Sequence, residues 1–170
     1  MTDEIFFPDF LEIKENIFGL GTYSKKALKK GELIMRSRAK IISYHELLDK
    51  NSSFEVYLHT KKYHLDKKKC TSVANGRIYL FTLDAFINHS CEPNIFNRDT
   101  YFKDDYFYYN KYALKDIKAG EELVTNYLFF ENESDFEFLC KCMSDYCFGV
   151  IRGKNHLGNE QLQILNMQVA

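Results

Sequence analysis

The sequence predicts a single, mostly β domain with a few short helices. Short segments rich in Val, Ile, Phe and Tyr alternate with turns that contain glycine or charged residues, the pattern of a chain built from many short strands. Aromatic residues make up 16% of the 170 residues, and Phe and Tyr are favoured in strands. The sequence shows no internal repeat and no dividing linker, and its length suits one domain with a substantial core.

The strands are predicted from these apolar segments and from the turns between them. Leu11 and Ile13 alternate with polar residues as in a short strand, and further strands are expected over residues 22–28, 33–42, 77–82, 95–97, 105–113 and 122–127. Glycine and adjacent polar residues favour chain reversals, so turns are expected at Gly19-Leu20-Gly21, 29–32, Asn75-Gly76, Lys103-Asp104 and 118–121.

Two segments have the features of helices. Ser43 precedes Glu46 by three residues, the spacing of a capping box, which predicts a helix over 44–50. Leu162 and Leu165 predict a second helix over 159–169. Residues 51–76 have the least regular pattern and include Lys61, Lys62, Lys67, Lys68 and Lys69. A solvated loop is the favoured interpretation of these lysines, and a lip that meets an acidic or nucleic-acid partner is the alternative.

Composition excludes several classes of protein. The formal net charge of −1 gives no reason to expect strong direct binding to nucleic acid. No apolar run approaches the length needed to cross a bilayer, so no membrane association is expected. The N-terminal residues 1–4 lack the basic segment of a signal peptide. We therefore expect an intracellular, reducing setting, in which clustered cysteines favour a metal site over disulfides and the isolated Cys70 is a free thiol.

Three cysteines, Cys140, Cys142 and Cys147, lie close together near the C-terminal end. Three thiolates are one ligand short of a tetrahedral zinc site. The fourth ligand must come from elsewhere, from Cys91 or from a histidine. We favour Cys91, because Pro93 fixes the backbone beside it and limits the entropy lost on ligation. Reduced cysteines without a metal are the alternative.

The segment Phe86-Ile87-Asn88-His89-Ser90-Cys91-Glu92-Pro93-Asn94 begins with anchoring apolar residues and continues with three hydrogen-bonding side chains. We interpret it as the site around which the domain is organised. Gly19-Leu20-Gly21 would let the backbone approach a ligand closely, but a turn between strands explains it equally well. Tyr127 ends a predicted strand, and on that ground alone it would be a core or interface residue.

Taken in order, these segments resemble the SET-domain family of protein-lysine methyltransferases. Residues 86–94 are similar almost letter for letter to the family's most diagnostic motif. The Gly19-Leu20-Gly21 segment resembles its early glycine motif, and residues 113–127 resemble its closing motif. Residues 140–149 resemble its post-SET zinc segment. The resemblance divides the chain into an N-terminal flank (1–16), a SET domain (17–130), a post-SET-like zinc segment (131–152) and a tail with the predicted helix (153–170).

The resemblance implies a SET-domain fold of small β-sheets with a C-terminal pseudoknot, in which the Asn88-His89 and Tyr127 segments lie side by side. It also implies S-adenosyl-L-methionine as the cofactor and a narrow channel for the substrate lysine. Tyr127 is the expected catalytic residue. The expected cofactor-binding residues are Gly19, Leu20, Gly21, Asn88, His89, Tyr127 and Phe148, and the expected zinc ligands are Cys91, Cys140, Cys142 and Cys147.

Four positions depart from the family pattern. Ala85 stands where an arginine is usual, Thr125 where many members have Phe or Tyr, Ser37 where a channel tyrosine is common, and Asn126 where aspartate is common. The position of Thr125 influences how many methyl groups members of the family add.

The expected function is methylation of protein lysine with S-adenosyl-L-methionine, with a lysine-containing histone tail as the expected substrate. A histone substrate would place the protein in the nucleus or at chromatin, and another substrate would place it in the cytoplasm. The departures support an alternative, a catalytically weak SET module that binds a peptide or a partner. A purely structural zinc module is the third interpretation.

Overall fold

The computed structural model describes residues 5–17, 19–49, 53–58, 61–130 and 137–169, apart from the side chains of residues 67 and 68. Short strands dominate, which confirms the predicted mostly β class. The strands are β1 Leu11–Asn16, β2 Gly19–Ser24, β3 Leu33–Ile42, β4 Ser53–Leu58, β5 Lys61–Asp66, β6 Thr71–Ala74, β7 Arg77–Phe81, β8 Asn88–His89, β9 Ile95–Lys103, β10 Tyr106–Ala113, β11 Val124–Thr125, β12 Phe138–Leu139 and β13 Val150–Ile151. The α-helices are α1 Tyr44–Leu48 and α2 Asn159–Met167, and 3₁₀ turns cover Lys67–Cys70, Leu83–Phe86, Tyr127–Phe129 and Lys154–His156.

The largest sheet has five antiparallel strands in the order β6-β7-β3-β10-β9. Four pairs of strands surround it. Three of them, β1-β2, β4-β5 and β12-β13, are antiparallel. The fourth, β8-β11, is parallel and joins two segments that are far apart in the chain. The fold therefore consists of small sheets, as the resemblance implied.

Elements that depend on local sequence agree best with the predictions. Strand β3 covers the predicted residues 33–42. Helix α1 begins where predicted, with the Ser43 hydroxyl accepting from Glu46 N at 3.2 Å, but it ends at Leu48. Asn75 and Gly76 have φ values of 51° and 71° and form the predicted turn, between β6 and β7. Helix α2 ends at Met167, two residues before the predicted end.

Four predictions were wrong in kind or in extent. Gly19-Leu20-Gly21 starts strand β2 instead of forming a turn, and β2 ends at Ser24 where it no longer pairs with β1. The strand predicted over 122–127 is reduced to β11, because a 3₁₀ turn begins at Tyr127. The strand predicted over 95–97 continues to Lys103, because its whole length pairs with β10.

The prediction of an irregular region over 51–76 was also wrong, because these residues contain the hairpin β4-β5 and strand β6. The apolar residues of β4 alternate inward, with Val56 and Leu58 buried, and Tyr63 of β5 is buried opposite them. Lys61 and Lys62 are both exposed, although only Lys62 lies on the face of β5 opposite the buried Tyr63. These two lysines are therefore solvated side chains of a hairpin, and the run of charge conceals the alternation.

Two buried clusters position the site. The larger one packs the inner face of the β-sheets and includes Leu11, Leu28, Ile34, Met35, Phe86, Ile87, Ile95, Ile117 and Leu123. The smaller one contains Cys91, Leu128, Cys140, Ile151 and Leu165. Because Leu165 belongs to α2 and Cys140 follows β12, this second cluster attaches the C-terminal part of the chain to the segment that bears Cys91.

Candidate active site and metal centre

The parallel pair β8-β11 forms the centre of the candidate site. Val124 lies opposite Asn88 and Thr125 lies opposite His89. The pairing continues beyond β8, since Ser90 N donates to Thr125 O at 2.9 Å. The expected side-by-side arrangement of these two segments is therefore confirmed.

Tyr127 follows β11 immediately and is held by its backbone and its hydroxyl. Its N–H donates to Nδ1 of His89 at 3.1 Å, and its hydroxyl donates to the carbonyl of Ile87 at 2.9 Å. The side-chain oxygen of Asn126 accepts from Leu128 N at 3.1 Å and caps the 3₁₀ turn that Tyr127 begins. Both ends of Tyr127 are thus fixed by residues of the two central segments.

His89 connects Tyr127 to the cysteine cluster. Because Nδ1 accepts from Tyr127 N, the neutral ring carries its proton on Nε2, which lies 3.4 Å from Sγ of Cys91. Burial lowers the pKa of His89 to about 4, which keeps the ring neutral near pH 7. Both ring nitrogens are used inside the protein, so a ligand would meet this residue through its backbone or its ring carbons.

The glycine segment lies beside Asn88. The Asn88 amide donates to Leu20 O at 3.2 Å and to Oε1 of Glu122 at 2.7 Å. A Cβ on Gly21 would come within 2.3 Å of that same Glu122 oxygen, so a side chain at this position would displace the Glu122 carboxylate. Gly19 has φ of 117°, a conformation that favours glycine over other residues.

Glu122 was not among the predicted site residues. Its carboxylate also accepts from the amide of Asn16 at 3.0 Å and from the hydroxyl of Tyr23 at 3.3 Å. It therefore joins β1, β2 and β8 in one polar cluster. The sequence offers a weak signal for this role, because Glu122 lies in the motif that resembles the family's closing motif but is one of two consecutive glutamates.

A cleft of about 610 Å³, including the part open to solvent, leads to Tyr127. Among the residues that line it are Phe81, Asp84, Ile87, Lys111, Thr125, Tyr127 and Phe130. The Lys111 ammonium is buried and lies 2.7 Å from Oδ2 of Asp84 and 2.7 Å from Oδ1 of Asn97. Sequence reasoning missed this ion pair. The only signal was a lysine at an inward-facing position of β10, next to the buried Tyr109.

Some polar atoms of this cleft have no partner among the described residues. They are the hydroxyls of Ser72 and Thr125 and the second carboxylate oxygen of Asp84, all of them buried. Buried polar atoms are nearly always satisfied by protein, water or ligand. These atoms can therefore accept hydrogen bonds from a group that enters the cleft, and the two hydroxyls can also donate to it.

Replacing Lys111 by methionine should destabilise the protein by about 3–5 kcal/mol, because it leaves the Asp84 carboxylate buried without its cation. Equilibrium unfolding in urea measures this change. The control is Lys115→Met, which removes a half-exposed lysine 3.4 Å from Glu92 and should cost less than about 1 kcal/mol. The double variant Lys111→Met with Asp84→Leu should recover much of the loss. Equal effects of the two single lysine variants would contradict the prediction.

The four predicted zinc ligands meet in space. The sulfur atoms of Cys91, Cys140, Cys142 and Cys147 all lie within 4.8 Å of one another, and those of Cys91 and Cys140 are 3.7 Å apart. A tetrahedral site with Zn–S bonds of about 2.3 Å has sulfur separations of about 3.8 Å. The four thiols therefore fit zinc in number, type and spacing, and Cys91 supplies the ligand that the C-terminal cysteines lack.

The surroundings of Cys91 suit a metal-bound thiolate. Its sulfur accepts a hydrogen bond from the Phe148 backbone N–H at 3.3 Å. It also lies within hydrogen-bond distance of the Nε2 proton of His89. Burial raises the pKa of the Cys91 thiol and raises that of Cys140 to about 11, so without a cation these thiols keep their protons. A bound metal would displace those protons. Cys70 lies outside the cluster as a buried free thiol, as predicted.

The fold and this arrangement define a SET domain followed by a cysteine-rich segment whose four thiols fit zinc. In a comparison with protein families, residues 19–128 match the SET domain, and the chain belongs to that family. S-adenosyl-L-methionine is the cofactor of SET methyltransferases. No helix of the described residues is long and apolar enough to cross a membrane.

Relatives of known name agree with this assignment. The chain is 30% identical over 145 residues to "Variant-silencing SET domain-containing protein" of Plasmodium falciparum (isolate 3D7), an alignment that covers 79% of this chain and 6% of that protein. It is 36% identical over 92 residues to "Histone-lysine N-methyltransferase SET5" of Vanderwaltozyma polyspora, which covers 49% of this chain and 17% of the relative. The chain thus spans a small part of these relatives.

A solved structure supports the fold. The methyltransferase domain of human histone-lysine N-methyltransferase SETMAR superimposes with a TM-score of 0.54 at 18% sequence identity, covering 84% of this chain and 58% of that one. At this identity the similarity concerns the fold, and the functional argument depends on the family and on the site.

Proposed function

We propose that this chain is a protein-lysine N-methyltransferase that uses S-adenosyl-L-methionine and acts on a histone tail. The observation that supports it most directly is the fixed Tyr127 hydroxyl, at the end of a cleft and beside the Asn88-His89 strand. Membership of the SET family and the names of the relatives support the same reaction. A histone substrate would place the protein at chromatin.

The residues of the cleft would prepare the lysine for attack. When bound, the cofactor supplies an electrophilic methyl group on a sulfonium. The attacking amine must be neutral, and a cleft walled by Phe81, Ile87 and Phe130 disfavours its protonated form. Asp84 would have the opposite effect, but Lys111 neutralises it at 2.7 Å. The Tyr127 hydroxyl would orient the amine, and positioning of this kind provides most of the rate in an in-line displacement.

The cofactor would bind on the side of the glycine segment. The Asn88 amide is bonded to the Leu20 carbonyl of the glycine segment there, and we propose that Gly19, Leu20, Gly21 and Asn88 contact the cofactor together with Tyr127. His89 would contribute through its backbone. Phe148 lies next to the metal centre through its backbone bond to Cys91, and we propose that its ring borders the adenine. Zinc on the four cysteines would fix this segment (131–152) over the SET domain (17–130).

Incubating the protein with labelled S-adenosyl-L-methionine and histone octamers, nucleosomes or tail peptides tests the proposal. We expect label on histone lysines, located by mass spectrometry of the products. Absence of transfer to every histone substrate, with transfer to proteins of a cell lysate, would overturn the histone assignment. Absence of transfer to both would overturn the enzyme.

A second candidate is a SET module that binds a peptide without methylating it. The unpartnered hydroxyl of Thr125 in the cleft, at a position where many members have an aromatic residue, is the observation in its favour. Thermal unfolding separates the two candidates. A cofactor that binds the native state raises the Tm, whereas a module that has lost cofactor binding shows no shift.

Replacing Gly21 by alanine should weaken cofactor binding about tenfold, a loss of about 1.4 kcal/mol. The new methyl group would lie 2.3 Å from Oε1 of Glu122, which must move and release Asn88. Isothermal titration with S-adenosyl-L-methionine measures the affinity. Gly158→Ala, at the start of α2 with its nearest atom 3.9 Å away, is the control and should bind as wild type. Wild-type affinity in the Gly21 variant would contradict the expected role of this segment.

A further inference from the structure

Gln168, the residue that follows α2, connects two parts of the site that are remote in sequence. Its amide nitrogen donates to the carbonyl of Cys91 at 2.5 Å, and its amide oxygen accepts from the amide nitrogen of Asn126 at 3.2 Å. Cys91 is a proposed zinc ligand, and Asn126 precedes Tyr127. One side chain of the C-terminal tail therefore touches both the metal centre and the turn that bears the tyrosine.

The direction of each hydrogen bond in this chain is fixed by its neighbours. The oxygen of Asn126 accepts from Leu128 N at 3.1 Å, so the nitrogen of this amide must face Gln168. At the other end, the Cys91 carbonyl can only accept, so Gln168 must direct its own nitrogen there. The two amides are consequently matched: the amide nitrogen of Asn126 faces the amide oxygen of Gln168.

This match gives a physical reason for asparagine at position 126. A carboxylate there could still cap Leu128 N, but it has no proton to donate to the Gln168 oxygen. If Gln168 turned to donate to that carboxylate, its oxygen would face the carbonyl of Cys91. Either orientation loses a hydrogen bond at a position where Asn126 is fully buried, and such a loss is costly.

We propose that Gln168 is a positioning residue for the reaction of Tyr127. Through Asn126 it holds the cap of the 3₁₀ turn at Tyr127–Phe129, and through Cys91 it ties that turn to the metal centre. Docking of α2, whose Leu165 is buried in the second core cluster, brings Gln168 to this place. The C-terminal helix thereby keeps Tyr127 in place at the wall of the cleft. This inference rests on the proposed methyltransferase function.

The first test replaces Gln168 by alanine. We expect kcat to fall about tenfold, as for loss of one buried hydrogen-bonded contact, while zinc content and the KM for cofactor stay as in wild type. Hydrogen exchange of the Leu128 amide should become faster, because its cap loosens. Gln163→Ala, on an exposed position of the same helix, is the control and should change none of these quantities.

The second test exchanges the donors and acceptors of the pair. Asn126→Asp alone and Gln168→Lys alone each place like groups face to face and should each lower kcat. In the double variant the introduced ammonium can donate both to the introduced carboxylate and to the Cys91 carbonyl, so kcat should recover above either single variant. A residue that merely fixes the helix would not show this recovery.

The outcomes distinguish this inference from the proposed function. A wild type that transfers no methyl group overturns the proposed function. Wild-type transfer with unchanged kcat and unchanged Leu128 exchange in Gln168→Ala overturns the positioning role. Additive losses in the double variant overturn it as well.

Discussion

Replacing Tyr127 by phenylalanine should reduce methyl transfer by about 10²- to 10³-fold, the effect of removing one well-placed polar group from a transition state. The ring would stay in place, because the backbone of Tyr127 is held by His89 and by the cap on Leu128. The hydroxyl that is lost donates to the carbonyl of Ile87, and both residues line the cleft. Single-turnover rates with saturating cofactor and substrate measure the change, and the KM for cofactor should move little.

A matched control for this variant is Tyr57→Phe. The hydroxyl of Tyr57 is on the exposed face of β4 and donates to the exposed side chain of Glu55 at 3.3 Å. Its removal should leave the transfer rate unchanged. The free energy of unfolding should fall by about 1 kcal/mol in Tyr127→Phe, since the Ile87 carbonyl loses its donor. A transfer rate within threefold of the control would refute the catalytic role of Tyr127.

The parts of the fold that could be predicted are those fixed by neighbouring residues. The capping box at Ser43 and the turn at Asn75-Gly76 involve contacts within four residues, and both are found where predicted. The hairpin β4-β5 was missed because its exposed positions include Glu55, Lys61 and Lys62, which suggest a loop although Phe54, Val56 and Leu58 alternate correctly. Strand β11 pairs in parallel with β8, whose residues lie 36 positions earlier in the chain, and no local pattern records that pairing.

The candidate site divides in the same way. The zinc ligands could be predicted because three cysteines lie within eight residues, and Cys91 was then the best choice for the fourth. Three other residues could not be predicted, because each acts through a partner far along the chain. Glu122 bonds to Asn16, Asp84 pairs with Lys111, and Gln168 bonds to Cys91. A lone glutamate or glutamine is usually a solvated surface residue. Their roles arise only when the fold brings these partners together.

Replacing Cys91 by serine should lower both zinc content and cofactor affinity. The change removes one of four sulfur ligands and replaces the sulfur that accepts from His89 and Phe148 by an oxygen on a shorter bond to Cβ. Structural zinc is worth about 10–16 kcal/mol of apparent binding energy in isolated fingers, so a defective site should also loosen the C-terminal segment. Because four ligands hold one structural zinc ion, elemental analysis should give about one zinc per chain in wild type and much less in the variant. Titration with S-adenosyl-L-methionine measures the second effect.

The two effects should be coupled, because the same residue joins the metal centre to the central segments. His89 bonds to Cys91 on one side and to Tyr127 on the other, and the cysteine-rich segment packs on Leu128 in the second core cluster. Chelation of zinc from wild type should therefore reproduce the loss of cofactor affinity seen in Cys91→Ser. Cys70→Ser removes a buried thiol outside the cluster and should retain zinc. A Cys91 variant that loses zinc but binds the cofactor as wild type would show that the metal centre and the cofactor site are independent.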